Sequence, residues 1–410
     1  MRNLSFLLII ALIVGMASAC KQSESDMAAR LGLPDLPKLL DRHPSIQQGK
    51  EWDNVQSLYG KYRQELTQKP DALEPKLNLA QLFVNEARIT GEHGHYYPGA
   101  LKMLDDVLAK KPEDKDLLFR TLAVKAGVQL SQHEFSDALV TAKEAIALNP
   151  YNAQIYGALV DAHVELGQYE EAVAMADKMV SMRPDLRSYS RVSYLREIHG
   201  DTNGAIEAME MAVSAGYPGQ EQTCWARMTL GELYENYGDM KQAEMQYRIV
   251  LEERPEYPFA IAALANLAID KGNDAEGEKL LKQACAIIPE FGFYEDLARI
   301  YKKRGDQTAF EETKKTVLEM LADDVEHGHN MNLEYANFYS NLIGDTDKAL
   351  EYAKNEYERR PDNIDVNRVL AALYHKKNDA AKATEHLKKA ARTNGAHPEL
   401  IELKQELAMR

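Results

Sequence analysis

From Tyr151 to Pro184 the chain reads YNAQIYGALVDAHVELGQYEEAVAMADKMVSMRP, and its apolar positions follow helical spacing twice over. Tyr156, Leu159, Val160 and His163 share one face of a first helix, and Ala172, Ala176 and Met179 form the inward stripe of a second. Gly167 between them predicts a tight turn, and Pro184 ends the segment because proline cannot continue a helix. The pattern therefore predicts a helical hairpin, closed by proline.

The hairpin recurs. Pro150 and Pro184 lie 34 residues apart, as do Pro255 and Pro289. Between 224 and 255 the cadence returns as Leu230-Gly231-x-x-Tyr234, Gly238-Asp239, Ala243-x-x-x-Tyr247 and Pro255. Leu264-Ala265-x-x-Ala268 with Gly272, Gly277, Leu281 and Pro289 repeats it, and Leu297-Ala298-x-x-Tyr301 and Leu370-Ala371-x-x-Tyr374 open further copies. Weaker copies occupy 186–219 and 330–362, and two more end at Pro112 and Pro150 with Ala100 and Ala138 where the paired helices cross. Small residues at those crossings let two helices approach closely.

This cadence resembles the tetratricopeptide repeat. The resemblance covers most of 70–394 and implies an all-α fold, a tetratricopeptide-repeat α-solenoid of stacked hairpins. The array is expected over 46–394, led by a separate helix around Trp52 to Leu66. Residues 395–410 are expected to form a capping helix, with Leu400, Ile401, Leu403 and Leu407 covering the last repeat.

The amino terminus has a different pattern. Arg2 precedes an apolar run from Leu4 to Met16, followed by Ala17-Ser18-Ala19-Cys20. The run is shorter than the about 20 residues of a spanning helix and reads as a secretory signal. Small residues directly before a cysteine resemble the lipobox of bacterial lipoproteins, although Ala17 stands where that family more often has leucine. The resemblance implies a signal peptide over 1–19, acylation of Cys20 and a flexible lipid-anchored tether over 20–45. It also implies secretion and anchoring to the bacterial envelope, with Lys21 in place of a retention aspartate favouring the outer membrane. Cys224 and Cys285 have neither CxxC nor zinc spacing and are expected to be buried thiols.

Charge narrows the partners. With 49 Lys and Arg against 64 Asp and Glu, the net charge is -15, and the basic residues do not cluster. Nucleic acid is accordingly not an expected partner.

Candidate chemistry is sparse. EHGH occurs twice, at 92–95 and 326–329, so His93, His95, His327 and His329 are candidate metal ligands. The first copy is expected in a loop marked by Gly91, Gly94 and Pro98, the second in an exposed linker. Several repeats separate them, and because stacked repeats touch only their neighbours they are not expected to share one ion. Alone, each His pair falls short of the three or four protein ligands zinc takes. The expected cofactor is none. There is no GxSxG, HExxH, phosphate loop or GxGxxG, so no enzyme is expected.

Partners of tetratricopeptide proteins usually bind the inner surface lined by the first helix of each hairpin. In this chain that face is expected to show Arg187, Arg191, Tyr194, Trp225, Glu232, Asn236, Phe259, Asn266, Arg299, Tyr335, Phe338 and Asn341. Aromatic and Arg anchors suit an extended peptide or a partner helix. The paired Lys and Asn clamp that one subtype uses for terminal carboxylates is missing. The leading expectation is a membrane-anchored scaffold for envelope proteins. The alternatives are a glycan- or nutrient-binding lipoprotein, which would be expected to carry larger insertions, and a metal-dependent enzyme using an EHGH segment.

Overall fold

The computed structural model describes residues 36–408. Cys20, the signal peptide expected over 1–19 and most of the tether lie outside the described residues. Among those described there are twenty α-helices and no strand, and no helix is long and apolar enough to cross a membrane.

A leading helix α1 (Lys50–Gln68) precedes nine hairpins. They are α2 (Leu73–Thr90) with α3 (His93–Ala109), α4 (Lys115–Ser131) with α5 (Phe135–Leu148), and α6 (Ala153–Glu165) with α7 (Tyr169–Met182). Next come α8 (Leu186–Ile198) with α9 (Thr202–Ser214), α10 (Glu221–Asn236) with α11 (Met240–Glu253), and α12 (Pro258–Asp270) with α13 (Asp274–Ile287). The last three are α14 (Phe291–Arg304) with α15 (Gln307–Glu326), α16 (Asn332–Asn337, continued by a π-helical turn over Phe338–Ile343) with α17 (Thr346–Arg359), and α18 (Ile364–Lys376) with α19 (Ala380–Ala390). Helix α20 (Pro398–Ala408) closes the array, burying Leu400 and Leu403 while Ile401 stays exposed, contrary to its expected place in the cap contact.

The hairpin turns follow from local chemistry. Gly238 takes φ +92° and Asp239 then caps α11 by accepting from the Gln242 amide; the same pairing recurs at Gly305-Asp306 and Gly344-Asp345. Such a cap contributes about 1 kcal/mol. Within a hairpin, Gly231 lies so close to the Tyr247 ring that any Cβ would collide with it, and the buried Ala100, Ala138, Ala205 and Ala243 occupy equivalent crossings.

Two expectations about the amino-terminal region are corrected. Residues 36–45, assigned to the flexible tether, are packed: Leu36, Leu39 and Leu40 lie against the first core cluster, the Leu40 amide donates to Tyr96, and Arg42 is buried. Residues 93–98 form the start of α3 in place of a loop. Pro98 is tolerated there because it deprives a single carbonyl, that of Gly94 near the helix start, of its amide donor.

The larger correction concerns the winding. The superhelix is tight enough for its successive turns to touch. The turn of the first hairpin lies against the connector before the seventh, with Gly91 beside the Pro289 carbonyl. The turn of the second meets the connector before the eighth: the Asn330 amide donates to the Gln132 carbonyl and Gln132 Nε2 to the His327 carbonyl. The third meets the connector before the ninth, where Arg360 pairs with Glu165 and the Ile364 amide donates to Tyr169. The fourth sets Gly200 against Asn394. Six hairpins thus complete one turn, and helix α15 reaches α3. Polar and ionic bonds dominate this seam, including Arg359 to Glu134 at 2.6 Å and Arg254 to Glu51 at 3.5 Å.

Candidate functional site

The tight winding turns the inner face into a narrow lumen. Tyr194 on α8 keeps 39% of its surface accessible, yet burial drives its phenol well above the ordinary value, helped by Asp365, Glu165 and Glu197. That combination fits a side chain wetted by solvent but surrounded by protein. Glu232 on α10 behaves alike: it is exposed, but desolvation and then Glu235 and Glu197 push it up to about 7. Glu295 on α14 is also pushed to about 7, mainly by desolvation. Carboxylates crowded this way favour a cationic occupant.

These shifts have a stability consequence. The folded values of Glu232 and Glu295 lie above their unfolded ones, so the contribution of their neutral forms is complete below about pH 4.5 and lost as pH rises through about 7. Allowing for solvent screening at Glu232, the two together are expected to add about 1 kcal/mol between pH 8 and pH 6.5. A melting temperature about 2 °C higher at pH 6.5 checks this, and Glu232→Gln with Glu295→Gln should flatten the difference.

Where the superhelix closes, a cavity of about 250 Å³ opens between its turns. Tyr194, Glu197 and Asn236 line it from the first turn, and Asp365, Arg368 and His397 from the second. Glu197 is raised by desolvation and accepts from Tyr237 at 3.1 Å, and Arg368 pairs with Asp365 and Glu399. Thr393 Oγ1 and His397 Nδ1 have no hydrogen-bond partner. The volume is below the about 300 Å³ at which small-molecule sites begin, and suits one or two side chains of a bound segment.

The other inner-face candidates fall into three groups. Trp225, Glu232, Asn236 and Asn341 are exposed, and Arg299 reaches solvent while pairing with Asp296 at 2.6 Å. Arg187, Arg191, Asn266, Tyr335 and Phe259 are half-buried in contacts between elements. Arg191 spans hairpins to Asp161, Asn266 donates to Asp296 at 2.9 Å, Tyr335 stacks on Tyr352 at 4.6 Å, and Phe259 lies between Tyr257 and Phe293. Phe338, expected on the groove, is 1% exposed and belongs to the core. Its ring has no polar atom to keep it in water, and it packs edge-on to Tyr339 inside the core. The second-turn residues Asp365, Arg368 and His397 had no sequence signal, because the closure that brings them to Tyr194 is a property of the whole superhelix.

The EHGH segments also meet, against expectation. His93 begins α3, while Asp324 on α15 and His329 just beyond that helix come from the seventh hairpin. One donor atom from each of these three residues lies within 4.8 Å of the others. The His93 and His329 rings stack with centroids 5.6 Å apart, and Tyr97 stacks on both at 5.1 and 5.6 Å. His329, expected in an exposed linker, is 6% exposed, and neither ring nitrogen makes a hydrogen bond. The Asp324 carbonyl, near enough to favour the charged ring, does not outweigh desolvation; His93 and His329 are both lowered to about 4 by burial and then by neighbouring histidines. His95 and His327 stay outside the cluster: His95 Nε2 lies 2.7 Å from the Lys38 carbonyl oxygen, and His327 Nδ1 lies 2.8 Å from that of Asp323. Asp324, raised to about 6 mainly by desolvation, was missed although it lies five residues before His329.

The geometry defines an all-α solenoid of helical hairpins whose inner face and inter-turn cavity are its candidate binding surfaces. Residues 129–196 match the tetratricopeptide repeat model, and the fold of the chain is that of a tetratricopeptide-repeat solenoid. Among solved structures it is similar to the APC/C hetero-tetramer Cut9–Hcn1, at 16% identity and a TM-score of 0.51, over 87% of this chain and 66% of that one. It therefore spans just under two thirds of that chain. It is also similar to the human IFIT1 dimer with PPP-AAAA, at 14% identity and a TM-score of 0.51, over 78% of this chain and 72% of that one. At these identities the likeness is one of fold. No curated protein matches the sequence. Tetratricopeptide solenoids are in general protein-interaction scaffolds that bind along extended concave surfaces.

Proposed function

We propose that this chain is a lipid-anchored envelope scaffold that holds a protein segment in its lumen and seats a cationic side chain in the cavity beside Tyr194. The carrying observation is that cavity, lined from two superhelical turns by an aromatic face, by the carboxylates Glu197 and Asp365, and by polar atoms of Thr393 and His397 that lack partners. A bound Lys or Arg would gain the carboxylates and the Tyr194 face together. The anchor rests on the lipobox-like Ala17-Ser18-Ala19-Cys20, and the outer-membrane placement on Lys21 after it. Attachment through more than one acyl chain is stable without a spanning helix.

In-cell crosslinking with mass spectrometry tests the scaffold. One dominant envelope protein should be captured by the parent chain and lost with Tyr194→Ala plus Glu197→Lys. Capture of the same proteins by the parent and the variant would overturn the lumen reading. Separately, Cys20→Ser should abolish labelling by an alkyne fatty acid and release the chain from membranes; unchanged labelling would remove the anchor.

A further inference from the structure

We infer that His93, Asp324 and His329 form a binding site for a first-row divalent transition metal ion, zinc being the simplest case, which clasps the two turns of the superhelix together. Two imidazoles and one carboxylate are the donor set of mononuclear zinc and non-haem iron sites that keep an open coordination position. The donors lie within 4.8 Å of one another, and a tetrahedral ion with bonds of about 2.0–2.1 Å holds them about 3.4 Å apart. The contraction is at most about 1.4 Å, within reach of side-chain rotation.

His329 carries the argument beyond proximity. It is more than nine-tenths buried, and both ring nitrogens lack a hydrogen-bond partner, an unfavourable state for a buried polar group. A ligated ion removes that deficit at one nitrogen. The Tyr97 ring stacks against both imidazoles and closes one side of the cluster. A cavity of about 290 Å³ lined by His329, Asn330 and Tyr335 adjoins the cluster and offers an entry path and room for a water on the open position.

The site explains why the sequence holds two EHGH segments. Each supplies its own turn of the superhelix with one ligand, His93 as the first histidine of its motif and His329 as the second of the other. The ion would bridge α3 to α15, the contact at which the first hairpin meets the seventh. This reading is independent of what the lumen binds.

The test uses the full chain in detergent, freed of metal and titrated with Zn²⁺ by calorimetry, with Co²⁺ absorption as a second readout. About one equivalent should bind, with the visible bands of a low-coordinate Co²⁺ and a rise in melting temperature. His93→Gln, His329→Gln and Asp324→Asn should each weaken binding by more than the about 10- to 100-fold typical of lost outer-shell partners, while His95→Gln and His327→Gln retain it. The conservative Asp324→Asn, verified as folded by circular dichroism, separates ligand loss from misfolding. No binding by the folded parent chain, or binding unchanged in all three ligand variants, would overturn the site.

Discussion

Replacing Arg42 by methionine is expected to destabilise the amino-terminal end of the solenoid by about 3–5 kcal/mol, the range for removing one partner of a buried ion pair. The Arg42 guanidinium donates to both oxygens of Glu86, at 2.9 and 2.7 Å, and the two side chains are 0% and 1% exposed. It also donates to the Ile46 carbonyl and to Glu51, and lies over the Trp52 ring. Without it the Glu86 carboxylate stays charged and unpaired beneath α1, or takes up a proton at a similar cost. Because a solenoid opens locally, the clearest readout is hydrogen exchange: amides of α1 and α2 should lose protection in Arg42→Met while those of α18 and α19 keep it. Arg42→Met combined with Glu86→Met should recover most of the loss, since an apolar pair of similar volume is often as stable as the ions it replaces. Equal protection in the parent and the single variant would show that the pair contributes nothing.

That prediction concerns a segment whose sequence suggested a tether. The helices were legible because each hairpin writes its own rules into about 34 residues: apolar spacing, a Gly-Asp turn and a terminal proline. The docking of 36–45 was signalled only by Leu36, Leu39 and Leu40, too short a pattern to distinguish from a polar linker containing a few leucines. Tyr194 and Asn236, expected on the inner face from the same helical period, line the cavity between the turns, and Trp225 is exposed. Phe338 is not, since an apolar ring at the edge of that face is drawn into the core, where it packs against Tyr339. The least legible feature is the seam. A nearest-neighbour picture of repeat arrays has no term for contact between hairpins six apart, and that contact depends on small rotations summed over every interface between them. His93 and His329 were therefore visible as residues but not as members of one cluster, and Asp324 was missed.

The seam itself predicts the second large effect. Gly167→Val should open the winding, whereas Gly238→Val should not. Both glycines close a hairpin at positive φ, +74° and +92°, so valine strains the backbone comparably at each. Around Gly238 nothing lies within 4 Å of an added Cβ, but at Gly167 that atom would be driven into the Asp362 carbonyl. The Arg392 bonds to the Gly167 and Asp362 carbonyls would be displaced with it. Gly167→Val should therefore cost about 1–3 kcal/mol beyond its control, the range for overpacking a close contact. X-ray scattering should report a larger radius of gyration, and hydrogen exchange a loss of protection across 361–395, in Gly167→Val alone. Because the cavity beside Tyr194 takes one wall from the first turn and another from the second, the same variant should release any segment held there without altering a residue that touches it. If Gly167→Val and Gly238→Val scatter identically, the turns do not adhere in solution, and the lumen would have to be treated as an open groove.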